Sequence, residues 1–351
     1  MTANRRVVDH LLRGETYQIP KGGRQPEACV NSVWREKVIR WYFSIVSALD
    51  RQQHIPDSPF NRSSVYVATA LLDSYLLALP SELSLRYKHD RAAYQLLATT
   101  CLLIGMRLTQ HDQRRKSKVS SESKNSSSAD HPSGQLKRAK THRDHMDQAD
   151  HQDVQVGADK GVSNVRPDTS STTMVVLPTA ATILQMSAAP KTISESKILA
   201  MVREVTGSRA FPRSHVITAL DYIRSLSSST QDENSDLTLT PEVAEEAYRL
   251  ADISLTDVDL IGCRPSVVAS AAITLALFRS HHGSHEIASL RQDVCSAIVG
   301  EDSAFQVAVR KVEARVLATT RQATNAHAPG QMQMNPPILH RVTAHLIPQG
   351  E

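Results

Sequence analysis

Residues 245–272 read EEAYRLADISLTDVDLIGCRPSVVASAA, and this stretch decides the architecture. A helical pattern runs to about Ile253. The connection LTDVDLIGCR follows, and PSVVASAAITLALF then opens with Pro265, is rich in small residues and is apolar on every side. A helix with no polar face belongs at the centre of a bundle, where other helices cover it all round. Upstream, Thr240-Pro241-Glu242 is a helix start, a capping hydroxyl followed by proline at the first helical position. A further helix is expected over His215 to Leu226, and amphipathic stretches over His285 to Val299 and Ser303 to Ala318. Together they make a bundle of about five helices around the Pro265 segment.

The first half of the chain repeats this plan. Arg91 to Thr109, with Asp90 as its cap, is apolar on nearly every side through Leu96, Leu97, Cys101, Leu102, Leu103 and Ile104, so it is a second central helix. From Asn31 to Leu49 the residues Trp34, Val38, Trp41, Ile45 and Leu49 step by three or four, with Asn31 or Ser32 as the cap. Ser64 to Leu79 repeats the stripe with Val67, Leu71, Leu72, Tyr75 and Leu76, and Pro80 closes it. Leu177 to Ala188 and Ser194 to Val205 complete this set, the latter with Ile198, Met201 and Val202 on one face. Between Gln110 and Thr173 aliphatic residues nearly vanish among Ser, Asp, His, Lys and Arg. Such a stretch buries too little apolar surface to offset the entropy of ordering. The expectation is an all-α chain of two tandem five-helix bundles: an N-terminal extension 1–30, a first bundle 31–210 with a disordered insertion 111–173, a second bundle 211–320 and a flexible tail 321–351.

Composition narrows the class. With 40% hydrophobic and 22% charged residues the chain falls among globular proteins, and aromatics at 4% leave the cores to aliphatic helix faces. No window approaches the roughly 18 apolar residues of a membrane span, and the start MTANRRVVDHLLRGETYQ lacks the apolar region of a signal peptide, so an intracellular protein is expected. Cys29, Cys101, Cys263 and Cys295 lie far apart, without the paired spacing of a zinc ribbon or a disulfide framework. His142, His145, His151, His281, His282 and His285 lack the spaced cysteines or carboxylates of a metal site. A net charge of +4 falls short of the clustered excess typical of nucleic-acid binding. No Gly-rich phosphate loop, HExxH, nucleophile elbow or kinase signature set is present, so no catalytic residue, cofactor or enzymatic activity is expected. The basic clusters RRKSK and LKRAK in the insertion read as an import signal or as solvated charge, and a nuclear and cytoplasmic location follows from the first.

The order and spacing of these segments resemble the tandem cyclin boxes of the cyclins. WREKVIRW (34–41) sets Arg35 six residues before Trp41, as on the family's first helix, and LLDSYL (71–76) sets Asp73 where the family's second helix carries its Asp. The resemblance implies that Arg35 and Asp73 form a buried ion pair stabilising the box. YQLLATTCLLIGMR (94–107) is similar to the family's third helix, with Leu96 at an apolar contact and Arg107 where a Lys is usual; in ILAMVRE (198–204), Glu204 matches the Glu of the fifth helix. The resemblance implies that Leu96, Arg107 and Glu204 bind a cyclin-dependent protein kinase, and that the chain is its non-catalytic activating subunit, with kinase substrates and inhibitors as further partners and no membrane or direct nucleic-acid contact. It also implies a substrate-docking patch at Trp34, Val38, Trp41 and Gln95, where Lys37 replaces an apolar residue.

Each residue has a plainer reading beside this one. The Arg35 and Asp73 pair serves architecture before recognition. Leu96, Trp34 and Trp41 are core anchors, and Arg107 and Glu204 are solvated helix charges. Two other functions fit the same architecture: a nucleic-acid-binding adaptor like the basal transcription factors of the TFIIB type, which normally add a zinc ribbon, and a cyclin-fold scaffold that binds no kinase.

Overall fold

The computed structural model describes residues 3–15, 29–53, 62–125, 178–187, 192–212, 215–227, 239–280, 287–299 and 302–326. Among them every regular element is helical: α1 (Ala3–Glu15), α2 (Ser32–Gln53), α3 (Arg62–Ala78), α4 (Ser81–His89), α5 (Arg91–Asn125), α6 (Ala180–Met186), α7 (Glu195–Gly207), α8 (Ala219–Ser227), α9 (Pro241–Thr256), a 3-10 turn Val258–Leu260, α10 (Pro265–Ser280), α11 (Ile287–Ile298) and α12 (Ser303–Ala326). The chain divides into two units, of which Lys116–Val175 is the smaller. Of it only the end of α5 is described.

The caps follow from local chemistry. The Asn31 side chain accepts from the Trp34 amide at 3.1 Å, Asp90 accepts from the amides of Ala92 and Ala93, and Thr240 precedes Pro241 at the start of α9 with its hydroxyl turned to the Val243 amide. Each satisfies an amide that the first helical turn leaves without a partner. At α8 the Thr218 amide and hydroxyl both donate to Asp221 Oδ2 at 2.8 Å, so this helix begins four residues later than the apolar pattern suggested.

Two cores result. In the first, Val67, Leu71, Leu72, Tyr75 and Leu76 of α3 pack with Tyr87 of α4, with Tyr94, Leu97, Cys101 and Ile104 of α5 and with Val205 of α7. In the second, α10 lies between α8, α9, α11 and α12; Ala269, Ala271, Ala272, Ile273, Leu275 and Ala276 show no bare side on it. Helices α5 and α10 are thus the two central helices foreseen from their lack of a polar face. Gly105 on α5 lies hard against α3: a Cβ built there would stand 2.9 Å from the Ala68 nitrogen and the Ser64 carbonyl oxygen. Gly262, with φ of 79°, turns the chain out of the 3-10 element towards Pro265, a conformation open to glycine without steric penalty.

Four expectations need correction. The segment 1–30, taken as a bare extension, contains α1, whose Val8 and Leu11 belong to the second core. Its Glu15 is 2% exposed and accepts from the Ser266 amide and hydroxyl, both at 2.7 Å, at the first turn of α10; burial raises this carboxyl above its ordinary value. A helix, α4, also occupies the stretch after Pro80, where none was foreseen. Proline there ends α3 and serves as the N-cap of α4, with Glu82 in its first turn and Arg86, Lys88 and His89 in its last, the charge order that a helix dipole favours. Third, α5 runs past Thr109 to Asn125, so 111–125 of the presumed disordered insertion is helical. That segment holds neither Pro nor Gly, and extending a helix already nucleated in the core costs far less than starting one. Last, α12 continues to Ala326 inside the tail drawn from 321. The rest of the presumed insertion, 126–173, and the tail after 326 lie outside the described residues, as do His281, His282 and His285.

Candidate functional site

The Arg35 guanidinium sits at the meeting point of the two bundles. It is 2% exposed, its Nη1 donates to Asp73 Oδ1 and its Nη2 to Asp73 Oδ2 at 3.0 Å, so the fork and the carboxylate meet face to face. Its Nε reaches the Leu255 carbonyl at 3.0 Å, at the end of α9 in the second bundle. Burial raises the Asp73 carboxyl above its ordinary value although Arg35 opposes this. The pair expected to tie α2 to α3 therefore ties both to α9, a contact that no sequence pattern signals because the acceptor is a main-chain oxygen 220 residues away.

Arg62, at the start of α3, adds a second polar seam. Its Nε lies 3.0 Å from Asp252 of α9, its Nη2 3.1 Å from Glu245, and its guanidinium stands 5.3 Å above the Tyr248 ring. The Tyr66 hydroxyl donates to Asp252 at 3.0 Å. Burial nonetheless pushes the Asp252 carboxyl up to about 6. Between these seams lies a cavity of about 140 Å3 lined by Arg35, Thr69, Asp73, Leu77, Ile217 and Cys263, among others.

Arg107 on α5 and Glu204 on α7 are both exposed, and Leu96 is half-buried. Their helix neighbours Ile104, Leu108, Met201, Val202 and Val205 enter or line the first core, so both charges stand at the rim of one apolar cluster. No ion pair joins Arg107 and Glu204 among the described residues. Glu204 Oε1 instead accepts from the Tyr75 hydroxyl. In the sequence Tyr75 counted only as one of the apolar residues of its stripe. On the neighbouring face, Trp34 and Val38 pack half-buried against the core, the Trp34 ring lies 6.0 Å from Tyr94, Trp41 lies 5.5 Å from Tyr42, and Gln95 is half-buried while Lys37 is exposed. The four residues of the foreseen docking patch thus share α2 and the start of α5.

Past Arg107, Asp112 of α5 bonds His215 Nδ1 in the segment leading to α8, and Asp221 lies 3.8 Å from the other ring nitrogen. Asp221 first, then Asp112, raises His215 above its ordinary value. With the folded value above the unfolded one near 6.5, the stabilisation is complete below about pH 6.5 and is lost as pH rises through the folded value. Because the side chain is 44% exposed and screened by solvent, the effect is under about 1 kcal/mol. The expected result is a melting temperature that falls by a few degrees from pH 6 to pH 8.5 in wild type and falls less in His215→Asn; equal slopes in differential scanning fluorimetry would refute the bridge.

Residues 217–294 match the family model for the cyclin C-terminal domain. That segment is similar to the cyclin C-terminal domain. The matched segment runs from the capping turn of α8 through α10 to Val294 of α11, and so includes residues 245–272. No curated protein matches the chain. No helix among the described residues is long and apolar enough to cross a membrane.

Proposed function

We propose that this chain is a cyclin, the regulatory subunit of a cyclin-dependent protein kinase in cell-cycle control, acting in nucleus and cytoplasm. The observation that carries the proposal is the placing of one cation, Arg107, and one anion, Glu204, at the rim of a single core on helices distant in the chain. A platform of this kind offers a donor and an acceptor at fixed separation to main-chain groups of a partner. Helices α3, α5 and α7 give it stiffness, since each is packed along its inner side against the others. Pressed against the small lobe of the kinase, the platform favours the inward position of the regulatory helix, in which the kinase completes its own Lys–Glu pair for phosphoryl transfer. The chain performs no chemistry itself. Arg107 in place of the usual Lys keeps the charge and widens the choice of acceptor, because a guanidinium presents five donors in a fixed fork.

Two measurements test this together. The tagged chain, captured from cells, is expected to bring down a kinase that phosphorylates a histone-type substrate. The double reversal Arg107→Glu, Glu204→Arg is expected to lower kinase affinity by at least about tenfold while far-ultraviolet circular dichroism stays unchanged. Undiminished capture by that variant would refute the assigned face, and the absence of any kinase from wild-type captures would refute the function.

A further inference from the structure

Glu204 has a partner within the molecule. Tyr75, which donates to it, is 3% exposed, so one end of the bond is anchored in the core and the other stands at the surface. Tyr75 is itself held: the Tyr87 ring of α4 meets it edge-on, with centroids 6.2 Å apart and planes at 84°. Burial raises the Tyr75 phenol well above its ordinary value, so it keeps its proton and stays a donor across the physiological range.

A glutamate side chain on a helix surface samples many rotamers, and ordering it opposes binding. A phenol locked by core packing removes much of that disorder before any partner arrives. We propose that Tyr75, backed by Tyr87, is a positioning residue: it takes Glu204 Oε1 and thereby aims the free Oε2 at an N–H donor of the kinase. The proposal rests on the reading of Glu204 as a partner contact. It gives α4 a role as well, since without this helix Tyr75 has no edge-on neighbour at that position.

Tyr75→Phe removes one oxygen and leaves the ring in place. The expected result, read by surface plasmon resonance against the kinase captured with the wild-type chain, is an affinity about three- to tenfold weaker. In a Glu204→Gln background the same replacement is expected to change affinity less than about twofold, because the group being positioned is already altered. Tyr87→Leu, which removes the edge-on ring, is expected to give a smaller loss of the same kind, and it serves as the second variant if Tyr75→Phe melts early. Equal affinities of wild type and Tyr75→Phe, or an equal loss in both backgrounds, overturn the proposal. If the wild-type chain binds no kinase, the proposed function falls and the positioning claim is decided on the free chain: three-bond couplings in NMR show a single Glu204 rotamer in wild type and averaging in Tyr75→Phe if it holds, and averaging in both if it does not.

Discussion

Asp73→Ala is expected to lower the stability of the chain by about 3–5 kcal/mol, the range for stranding one member of a buried ion pair. The guanidinium left behind is 2% exposed and keeps only the Leu255 carbonyl as a partner. For a protein of this size each kcal/mol shifts the melting temperature by about 2–4 °C, so a drop on the order of 10 °C is expected in calorimetry. The companion variant Arg35→Met, Asp73→Leu removes both charges and keeps the volume. It is expected to recover a large part of the loss, but not all of it, since the Leu255 carbonyl then goes without its donor at a cost of about 1–3 kcal/mol. A melting temperature for Asp73→Ala within 2 °C of wild type would show that this pair does not hold the bundles together.

Gly105→Ala is the second large effect. In an exposed helix the exchange stabilises by about 1 kcal/mol. Here the added methyl meets two backbone atoms of α3 at 2.9 Å, and neither can swing aside as a side-chain tip would. Separating α5 from α3 opens the contacts of Leu71, Leu72, Leu97 and Cys101, and overpacking of this kind costs about 1–3 kcal/mol. Gly207→Ala at the end of α7 is the control, because nothing lies within 4 Å of a Cβ there; it is expected to be neutral or stabilising by up to about 1 kcal/mol. Urea melts that move both variants in the same direction would remove the steric argument.

How much of this the sequence disclosed follows from the length scale of each signal. The two central helices were legible because a run without a polar face has one stable location, and the caps at Asn31, Asp90 and Thr240 were legible because capping acts over three residues. Arg35 opposite Asp73 was reached through resemblance, and the structure places their side chains face to face. Helix α4 was missed because proline was read only as a stop, although it also starts a helix. Helix α1 is signalled only by the short stripe Val8, Leu11, Leu12 and Glu15, within a stretch too polar to suggest a core element. The long end of α5 was lost because polarity was equated with disorder, whereas a helix needs apolar residues to dock and not to continue. Tyr75 bonded to Glu204 and Arg35 bonded to Leu255 join residues 129 and 220 apart in the chain, and periodicity carries no information at that range.

The bond from Glu15 to the start of α10 spans 251 positions. A ribosome adding about 5–20 residues per second makes α1 first and then leaves it without its seat for roughly 10–50 s, until α8, α10 and α11 have emerged. During that interval the acidic group faces water, where it carries its charge without penalty. Docking α1 therefore falls among the closing steps of assembly, and the second bundle must be largely formed before it can accept the helix.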